Sequence, residues 1–415
     1  MSDISLDEGF PQAEWDEWKA IVEKTLGGAD FEKKLVSTTY DDIKIQPLYW
    51  GGNTSSLADE RPGAAPFTRG TSVKPKELSW QIAQSFAQPD PVAANKNILN
   101  ELQRGVTALL LKLDDDENET RTITITNLDS LEALLHGVHL EMLPIHMDAG
   151  DRSLAAASLL AAHINKSGTS PEKCDVTFGI DPLGELARRG AISETIETAY
   201  SLMSDAAQWT NEHLPLAKSV TSDTRHYHTA GASQSQEIAF ALATALEYLR
   251  TLEKNSIKLE DAATQICFHL TADADFFGTI AKLRAVRRLW ALVTSSCGIE
   301  PSPARLLVET AHRMMSELDP GVNMLRTTIA CFAAGAAGED SITVEPYTTK
   351  HGMPDEQARR IARNTQIILQ EEAGVARVLD PAGGSYFVEN LTNDLSETAW
   401  ALFQKIEEEG GMFLA

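Results

Sequence analysis

The stretch VTALLLKL, residues 106–113, is the first of several short apolar or β-branched runs that recur along most of the chain. Each run is followed by a longer amphipathic stretch with helical periodicity, such as residues 153–164, 233–252 and 280–295. The seven further runs predicted as strands are Val138–Met147, Asp175–Ile180, Leu216–His226, Gln265–Leu270, Arg305–Thr310, Ile342–Tyr347 and Ala376–Leu379.

Eight strand–helix units are the number that a closed parallel barrel requires, so the pattern predicts an α/β protein with a (β/α)8 TIM barrel. An open, doubly wound sheet gives similar alternation and is the alternative. Residues 1–70 are predicted to form an N-terminal arm, with a helix over about residues 12–36 and a wrapping segment rich in Gly, Pro and Ser. The barrel is predicted to occupy residues 71–415.

The chain is strongly acidic, with 36 Lys and Arg against 60 Asp and Glu, a net charge of −24. Nucleic acids and anionic membrane surfaces are therefore poor partners, and an anionic ligand such as coenzyme A needs a local cluster of cations. The four cysteines have no metal-ligand spacing and are predicted to be buried thiols in a reducing compartment. Since no signal-like stretch and no apolar run of ~18 residues occurs, a cytoplasmic location is expected.

In a barrel of this type, function lies at the C-terminal ends of the strands. The residues expected there, read from the ends of the predicted strands, are Asp148, Asp181, His226–His228, Ala272–Asp275, His312, Thr348 and Pro381–Ser385.

Three motifs occur in order along the chain: PGAAPFTRG at 62–70, IARNTQ at 361–366 and DPAGGSY at 380–386. Together with AGASQSQEIAF at 230–240 and the Phe276–Phe277 pair before the helix of 280–290, they resemble the substrate domain of adenosylcobalamin-dependent acyl-CoA mutases. The methylmalonyl-CoA mutase family is the best match. The resemblance extends over nearly the whole chain.

This resemblance implies a barrel that threads the pantetheine arm of coenzyme A along its axis, beneath a cobalamin held by a second domain. The cofactor, adenosylcobalamin, supplies the radical, and the protein supplies a dry cavity and oriented polar groups. The Asp-x-His-x-x-Gly motif of the family's cobalamin domain does not occur in this sequence. The resemblance therefore implies that the cobalamin domain is missing or lies in another chain.

On this resemblance, His226 takes the position of a histidine that hydrogen-bonds the thioester carbonyl of the substrate. A positioned donor of that kind contributes roughly 10²–10³ in rate. A satisfied histidine at a strand end is an equally open interpretation, and His228 offers a second imidazole two residues on.

Arg189 follows the third predicted strand after Asp181 at the spacing of the family's arginine that grips the substrate carboxylate. Arginine suits bidentate carboxylate capture. An exposed cationic patch formed with Arg188 is the competing interpretation.

Several positions depart from the family pattern. Arg225 replaces a tyrosine, Thr229 replaces a glutamate near the adenosyl group, and Ala83 replaces an arginine that reaches coenzyme A. The segment 71–79, where the family places another active-site tyrosine, contains no aromatic residue.

Two further groups of residues have more than one interpretation. Lys282, Arg284, Arg287 and Arg288 either offer charge to coenzyme A phosphates or form a salt-bridged helix surface. Gly383–Ser385 either opens a helix N-terminus toward an anion or forms a tight turn that requires glycine.

The leading hypothesis is that the chain is the catalytically degenerate small (beta) subunit of a heterodimeric methylmalonyl-CoA mutase, which interconverts methylmalonyl-CoA and succinyl-CoA. Its partner would then be a catalytic large subunit. The alternative is an active acyl-CoA-binding barrel that uses cobalamin held on another chain. The arm, with Trp15, Trp18, Tyr49 and Trp50, is either the contact with the partner or an intramolecular layer.

Overall fold

The computed structural model of the chain describes residues 14–51, 60–73, 80–113 and 122–415. Two expectations concern residues outside these ranges. They are the absence of a signal-like stretch, which depends on Met1–Ser5, and the absence of an aromatic residue, which depends in part on residues 74–79. The chain divides into two compact units, Met1–Asn53 and Thr54–Ala415.

The first unit contains two short helices and a two-stranded antiparallel sheet. Their bounds are Trp15–Thr25 and Phe31–Leu35 for the helices, and Ser37–Thr38 and Lys44–Ile45 for the strands. The rings of Trp15 and Trp18 lie 4.9 Å apart, and Trp18 packs edge-on against Phe31 at 6.2 Å. The first helix has no buried residue, because a unit of this size cannot cover the apolar face of its own helix.

The second unit contains eight parallel strands that form a closed barrel in chain order, which confirms the predicted fold. The last strand closes the barrel by pairing with the first, Ser341 against Gln81. The strands are β1 Gln81–Phe86, β2 Ala108–Lys112, β3 Ile145–Asp148, β4 Val176–Ile180, β5 Lys218–Asp223, β6 Ile266–Ala272, β7 Leu306–Thr310 and β8 Ser341–Thr343.

Helices surround the barrel and supply the outer wall of its core. Those of the second unit are Pro91–Leu102, Leu128–Leu135, Ser153–Ser167, Pro182–Arg189, Ile196–His213, Arg225–Ala230, Gln234–Lys254, Leu259–Gln265, Phe276–Ser296, Pro320–Ala337, Glu356–Ile367 with a π-helical continuation Ile368–Glu372, and Tyr386–Glu408. Short 3₁₀ turns occupy Gly150–Arg152, Pro171–Lys173, His312–Met314, Thr349–His351 and Val375–Arg377. Among the described helices, none has both the length and the apolar character needed to cross a bilayer.

The prediction of eight strands is right in number but wrong in one member. Ala376–Leu379 is not a strand: it forms a 3₁₀ turn and an irregular segment that ends at Asp380, whose φ is 48°. The missing strand is β1, whose sequence QIAQSF places polar Gln84 at a buried position of the sheet. Two glutamines in six residues hid the apolar pattern that identifies a strand.

The fifth strand also ends earlier than predicted. It stops at Asp223, and Arg225–Ala230 forms a short helix, so that His226 lies on this helix and not on a strand. Asp223 accepts a hydrogen bond from the backbone N–H of Arg225 at 2.9 Å, which satisfies a donor at the helix start.

The first and third motifs meet on the outside of the barrel. Arg69 donates from Nε to Asp380 at 2.7 Å, and Arg284 on the helix Phe276–Ser296 donates to the other oxygen of the same carboxylate. A Cβ at Gly383 would lie 2.2 Å from Nη2 of Arg69, so only glycine allows this approach. Gly384 donates its N–H to Glu389 at 2.9 Å. The first and third motifs therefore have a structural role, because they hold each other in place on the barrel. The anion bound at the turn Gly383–Ser385 is the carboxylate of Glu389 from the same chain.

The second motif fixes β1 against its neighbours. Gln366 accepts a hydrogen bond from the indole of Trp80 at 3.1 Å and donates to the carbonyl of Ala83 at 3.2 Å. Arg363 donates to the buried carboxylate of Glu101. Trp80 in turn packs so tightly on the helix Pro320–Ala337 that a Cβ at Gly335 would lie 2.7 Å from its ring.

Three of the four cations on the helix Phe276–Ser296 are ion-paired, as one interpretation of the sequence expected, but they are buried in the core and do not lie on the helix surface. Lys282 pairs with Glu237 at 2.7 Å, Arg284 with Glu389 at 2.7 Å, and Arg287 with Glu339 at 2.9 Å. These side chains face neither solvent nor a ligand. Arg288 is partly buried and donates to Asn393. The burial predicted for the cysteines is confirmed for Cys174, Cys267 and Cys331, whereas Cys297 is half-buried.

Candidate functional site

The C-terminal mouth of the barrel is crossed by a network of charged side chains centred on Arg225. Its guanidinium donates to Asp223 at the end of β5 at 2.5 Å, to Asp148 at the end of β3 at 2.9 Å, and to Glu309 on β7 at 2.5 Å. Guanidinium–carboxylate hydrogen bonds of this length are strong and directional. Arg225 is thus held from three sides.

The partners of Arg225 fix its place in the barrel. In a closed barrel of eight strands in chain order, β3 and β7 lie opposite each other. A guanidinium that bonds Asp148 of β3 and Glu309 of β7 at once therefore lies over the barrel axis. A chain threaded along this axis would have to displace it.

Lys112, at the end of β2, extends the network to the remaining side of the mouth. Its ammonium lies 3.2 Å from Glu309 and 3.4 Å from Glu345, which follows β8. Glu345 also accepts a hydrogen bond from Thr349 at 2.8 Å. The ends of β2, β3, β5, β7 and β8 are thereby joined by six charged groups, four acidic and two basic.

Burial and pairing set the protonation of this network. Burial opposes ionisation of Asp223, but the Arg225 charge outweighs it and lowers the pKa of that carboxyl. Burial also opposes the charge on Lys112, but Glu309 and Glu345 raise its pKa. For Glu345 the effect of burial exceeds the attraction of Lys112, and together with the neighbouring Glu309 it raises the pKa of this carboxyl to about 7. His269, buried and close to Arg225, has its pKa lowered to about 4 and is neutral.

Two cavities open at the mouth. The larger has a volume of about 910 Å³ and extends from His146, Thr177 and Leu307 inside the barrel to Arg188 and Arg189 at the rim. The second, of about 530 Å³, is lined by Ser85, Thr310, His312 and Glu345 among others. Lys112 and Arg225 line both cavities, so the network forms the wall between them.

His226 lies in the larger cavity, where its Nε2 is buried without a hydrogen-bond partner among the described residues. Burial lowers the pKa of this imidazole, so it is neutral at pH 7. Its ring lies 4.1 Å from that of Tyr227, which packs at 5.0 Å on Phe240. His226 is therefore placed to donate or accept one hydrogen bond within the cavity.

His228, the second imidazole of the sequence, is almost fully buried and has structural partners. Its Nε2 lies 3.2 Å from the carboxylate of Asp273 and 3.0 Å from the guanidinium of Arg313. Arg313 also donates to the backbone carbonyl of His228 at 2.7 Å. Of the two histidines, only His226 lines a cavity.

Arg189 lines the same cavity as His226, at its rim. Its Nε lies 3.0 Å from Glu185, and Arg188 contacts the same carboxylate oxygen at 2.9 Å. One carboxylate thus faces two guanidinium groups. Asp181, which precedes this helix, caps it by accepting from the N–H of Gly184 at 3.0 Å, and burial raises its pKa to about 7.

The other residues expected at the mouth have different positions. Asp148 joins the Arg225 network, and His312 lines the second cavity. Thr348 is half-buried and precedes Thr349, which lines the same cavity as His312. The turn Ala272–Asp275 caps the helix Phe276–Ser296, since Asp275 accepts from the N–H of Gly278 at 3.1 Å. Pro381–Ser385 does not lie at the mouth, because it follows no strand and packs on Arg69.

Sequence reasoning missed Lys112, Glu309 and Glu345. Glu309 and Lys112 lie inside predicted strands at inward-facing positions, and a charged residue within an otherwise apolar strand is the signal that was available. Tyr227 directly follows His226, so an aromatic group is present beside the histidine, although not at the position the family pattern uses.

Comparison with known proteins agrees with this architecture. The family model described as methylmalonyl-CoA mutase matches residues 38–415. The chain is 40% identical to the methylmalonyl-CoA mutase small subunit of Streptomyces virginiae over 99% of its length and 66% of that protein's. It is 37% identical to the small subunit of Propionibacterium freudenreichii subsp. shermanii, covering 99% of this chain and 64% of the relative.

A mitochondrial methylmalonyl-CoA mutase, that of Bos taurus, is 32% identical over 95% of this chain and 55% of its own length. The chain thus spans less than two thirds of the length of each of these relatives. The closed barrel with a polar mouth at its C-terminal end places the chain among the (β/α)8 barrel proteins. The family model matches residues 38–415, so the chain belongs to the methylmalonyl-CoA mutase family.

Proposed function

We propose that this chain is the non-catalytic small subunit of an adenosylcobalamin-dependent methylmalonyl-CoA mutase, and that it supports a catalytic large subunit. The observation that carries the proposal is the Arg225 guanidinium over the barrel axis, held by Asp148, Asp223 and Glu309. Where a pantetheine arm would enter, these ion pairs cross the mouth and form one wall of the cavity that reaches into the barrel.

The charge balance of the mouth supports the same conclusion. The substrate of the mutase carries a carboxylate and the phosphates of coenzyme A. In the network Lys112 and Arg225 are already paired with acidic groups, and four carboxyl groups surround them. Bringing a further anion there costs repulsion in a site of low dielectric constant.

The mouth residues also do not fit the adenosyl end of cobalamin. Carbon-radical chemistry needs a dry cavity with few polar groups, whereas the top of this barrel is charged. We therefore assign no step of a radical mechanism to this chain and propose that the partner holds the cofactor of the assembled mutase.

The names of the relatives and the first unit support a partnership. Proteins similar over 99% of this chain are named small subunits. Within the unit of residues 14–51, the helix Trp15–Thr25 carries Trp15, Trp18 and Ile21 with no residue buried. Aromatic side chains of this kind are frequent interface anchors.

A second candidate function has one observation in its favour. His226, Tyr227, Arg188 and Arg189 line a single cavity of about 910 Å³, and His226 has an unpartnered Nε2. These are groups that an active barrel would use to hold a thioester and a carboxylate. In that case the chain binds acyl-CoA and receives cobalamin from another chain.

The decisive experiment measures mutase activity with adenosylcobalamin for the chain alone, for a large subunit alone, and for both together. We expect no activity above background for the chain alone, a stable complex with the large subunit, and an unchanged rate when the chain carries His226→Ala. Activity of the isolated chain would exclude the proposal, and a rate loss of tenfold or more in the complex with His226→Ala would favour the second candidate.

Direct ligand binding separates the two candidates further. Titration of the isolated chain with methylmalonyl-CoA in a calorimeter is expected to give no binding signal at millimolar concentration. Arg189→Ala is the matched variant: it should change nothing if the barrel is closed, and should weaken binding if the barrel is active. Removal of residues 1–51 is expected to weaken the complex with the large subunit, and an unchanged complex mass would exclude the proposed contact.

A further inference from the structure

The helix Pro320–Ala337 has an apolar solvent-facing side. Its exposed residues up to position 332 are Leu325, Thr328, Ile329 and Phe332, which recur at the spacing of one helix face. Leu325 is 65% exposed, Ile329 42% and Phe332 40%. An outer barrel helix normally presents polar residues to water. The apolar side is therefore a feature that the fold itself does not require.

Charge is scarce on this helix. Arg326 is its single charged residue, whereas a chain that is 23% charged would carry about four in eighteen residues. The guanidinium of Arg326 is not directed outward: it donates to Asn323 of the same helix at 3.0 Å.

A row of aromatic rings continues this face onto two neighbouring helices. Phe332 lies 5.1 Å from Phe276, Phe276 lies 5.1 Å from Phe277, and Phe277 lies 5.1 Å from Phe387. Phe277 and Tyr386 are 44% and 45% exposed. The ring contacts thus link the three helices, and Tyr386 adjoins Phe387 in the chain. We call the exposed apolar residues of these helices the Phe332 patch: Phe277, Leu325, Ile329, Phe332 and Tyr386.

The size and charge of the Phe332 patch indicate what covers it. At about 200 Å² for each large side chain, the exposed area is on the order of 500 Å², which suits the apolar core of an interface that buries about 800 Å² on each partner. The helices are capped by the carboxylates of Asp275 and Asp319 at one end. A partner with an apolar centre and basic groups at its edge complements this surface.

We propose that the Phe332 patch is a docking surface for the large subunit, through a weakly charged, apolar face with a basic edge on that subunit. This inference depends on the proposed function, because it takes the large subunit as the partner. An anionic membrane does not fit, since the chain carries a net charge of −24.

The test compares Ile329→Glu with Leu202→Glu, a matched change on the barrel helix Ile196–His213, where Leu202 is 36% exposed. Complex formation with the large subunit is measured by analytical ultracentrifugation, and thermal unfolding checks that both variants are folded. We expect Ile329→Glu to weaken binding about 100-fold or more, as a buried charge at an interface core does, and Leu202→Glu to leave it within a factor of three.

Three other outcomes overturn the docking surface and differ in what they say of the proposed function. If the wild-type chain binds and Ile329→Glu binds equally well, the patch is not the interface, but the partnership stands. If the chain alone forms a dimer that Ile329→Glu abolishes and the large subunit does not bind, the occupant is a second copy. If the wild-type chain forms neither complex, the partnership fails as well.

Hydrogen exchange provides a second measurement that needs no variant. In the wild-type complex, amides of residues 320–337 and 276–279 should gain protection relative to the chain alone, while residues 196–213 should not. Unchanged exchange at residues 320–337 would contradict the proposal even if a variant failed to fold.

Discussion

Arg69 and Asp380, 311 residues apart in the chain, form an ion pair of 2.7 Å on the outside of the barrel, and Asp380 is shared with the fully buried Arg284. We expect Asp380→Ala to leave two guanidinium groups without this partner and to lower the free energy of unfolding by about 3–5 kcal/mol. Urea denaturation followed by circular dichroism measures the change.

An exposed ion pair serves as the control for that experiment. Arg104 lies 2.6 Å from Glu356, but both side chains are largely in solvent. Arg104→Ala is therefore expected to cost less than about 1 kcal/mol. Equal losses for Asp380→Ala and Arg104→Ala would contradict the role assigned to Asp380.

Gly335→Ala tests the packing of Trp80 on the helix Pro320–Ala337. Alanine favours a helix interior by about 0.5–1 kcal/mol over glycine, but its Cβ would lie 2.7 Å from the buried indole. Because overpacking costs about 1–3 kcal/mol, we expect a net loss of stability and a changed fluorescence of Trp80. A stabilised protein with unchanged fluorescence would show that this contact is looser than described.

Arg225→Met is expected to destabilise the barrel in a way that depends on pH. Arg225 lowers the pKa of Asp223, so this pair contributes stability above the ordinary carboxyl pKa, and the contribution disappears as the pH falls. The variant should therefore lose about 3–5 kcal/mol at pH 7 and less near about pH 3, below the ordinary carboxyl pKa, measured by urea denaturation at both values. Arg104→Met, which removes the exposed pair with Glu356, should show little loss at either pH.

Glu345→Gln should have the opposite pH profile. The pKa of Glu345 is raised to about 7 in the folded chain, so its protonated form stabilises the fold below the ordinary carboxyl pKa, and this contribution is lost as the pH rises to 7. Glutamine keeps the neutral state, so we expect the variant to match the wild type at pH 5 and to exceed it by about 2–3 kcal/mol at pH 8. Melting curves that run parallel from pH 5 to 8 would exclude this protonation state.

The sequence was sufficient to predict the barrel because its periodicity is local. Seven of the eight strands follow from apolar runs such as VTALLLKL. The predicted number of eight is still right, because one predicted strand, Ala376–Leu379, is absent and one strand that was not predicted, β1, is present. Strand β1 could not be predicted because Gln84, a polar residue, is buried in it. The position of this strand is fixed by its pairing with β8, whose residues are far away in the chain.

The candidate site was predicted only in part. His226, Arg189 and Asp148 do line the larger cavity, since Asp148 ends β3, while His226 and Arg189 lie on the short helices that follow β5 and β4. The network could not be predicted, because Lys112, Glu309 and Glu345 meet across the barrel, and a charge within an apolar strand indicates an unusual position but not its partners. Similarly, Arg284 is neutralised by carboxylates 96 and 105 residues later, and no local pattern reports such a pairing.

This distant pairing bears on how the chain folds as it is synthesised. All eight strands have left the ribosome once Thr343 has emerged, yet the carboxylates that neutralise Arg284 follow at Asp380 and Glu389. Until these carboxylates emerge, docking the helix Phe276–Ser296 onto the barrel would bury the guanidinium of Arg284 without an anionic partner. The nascent barrel is therefore expected to stay open on this side until its last helix arrives, and a chain stalled at residue 373 should be cut by protease within 276–296.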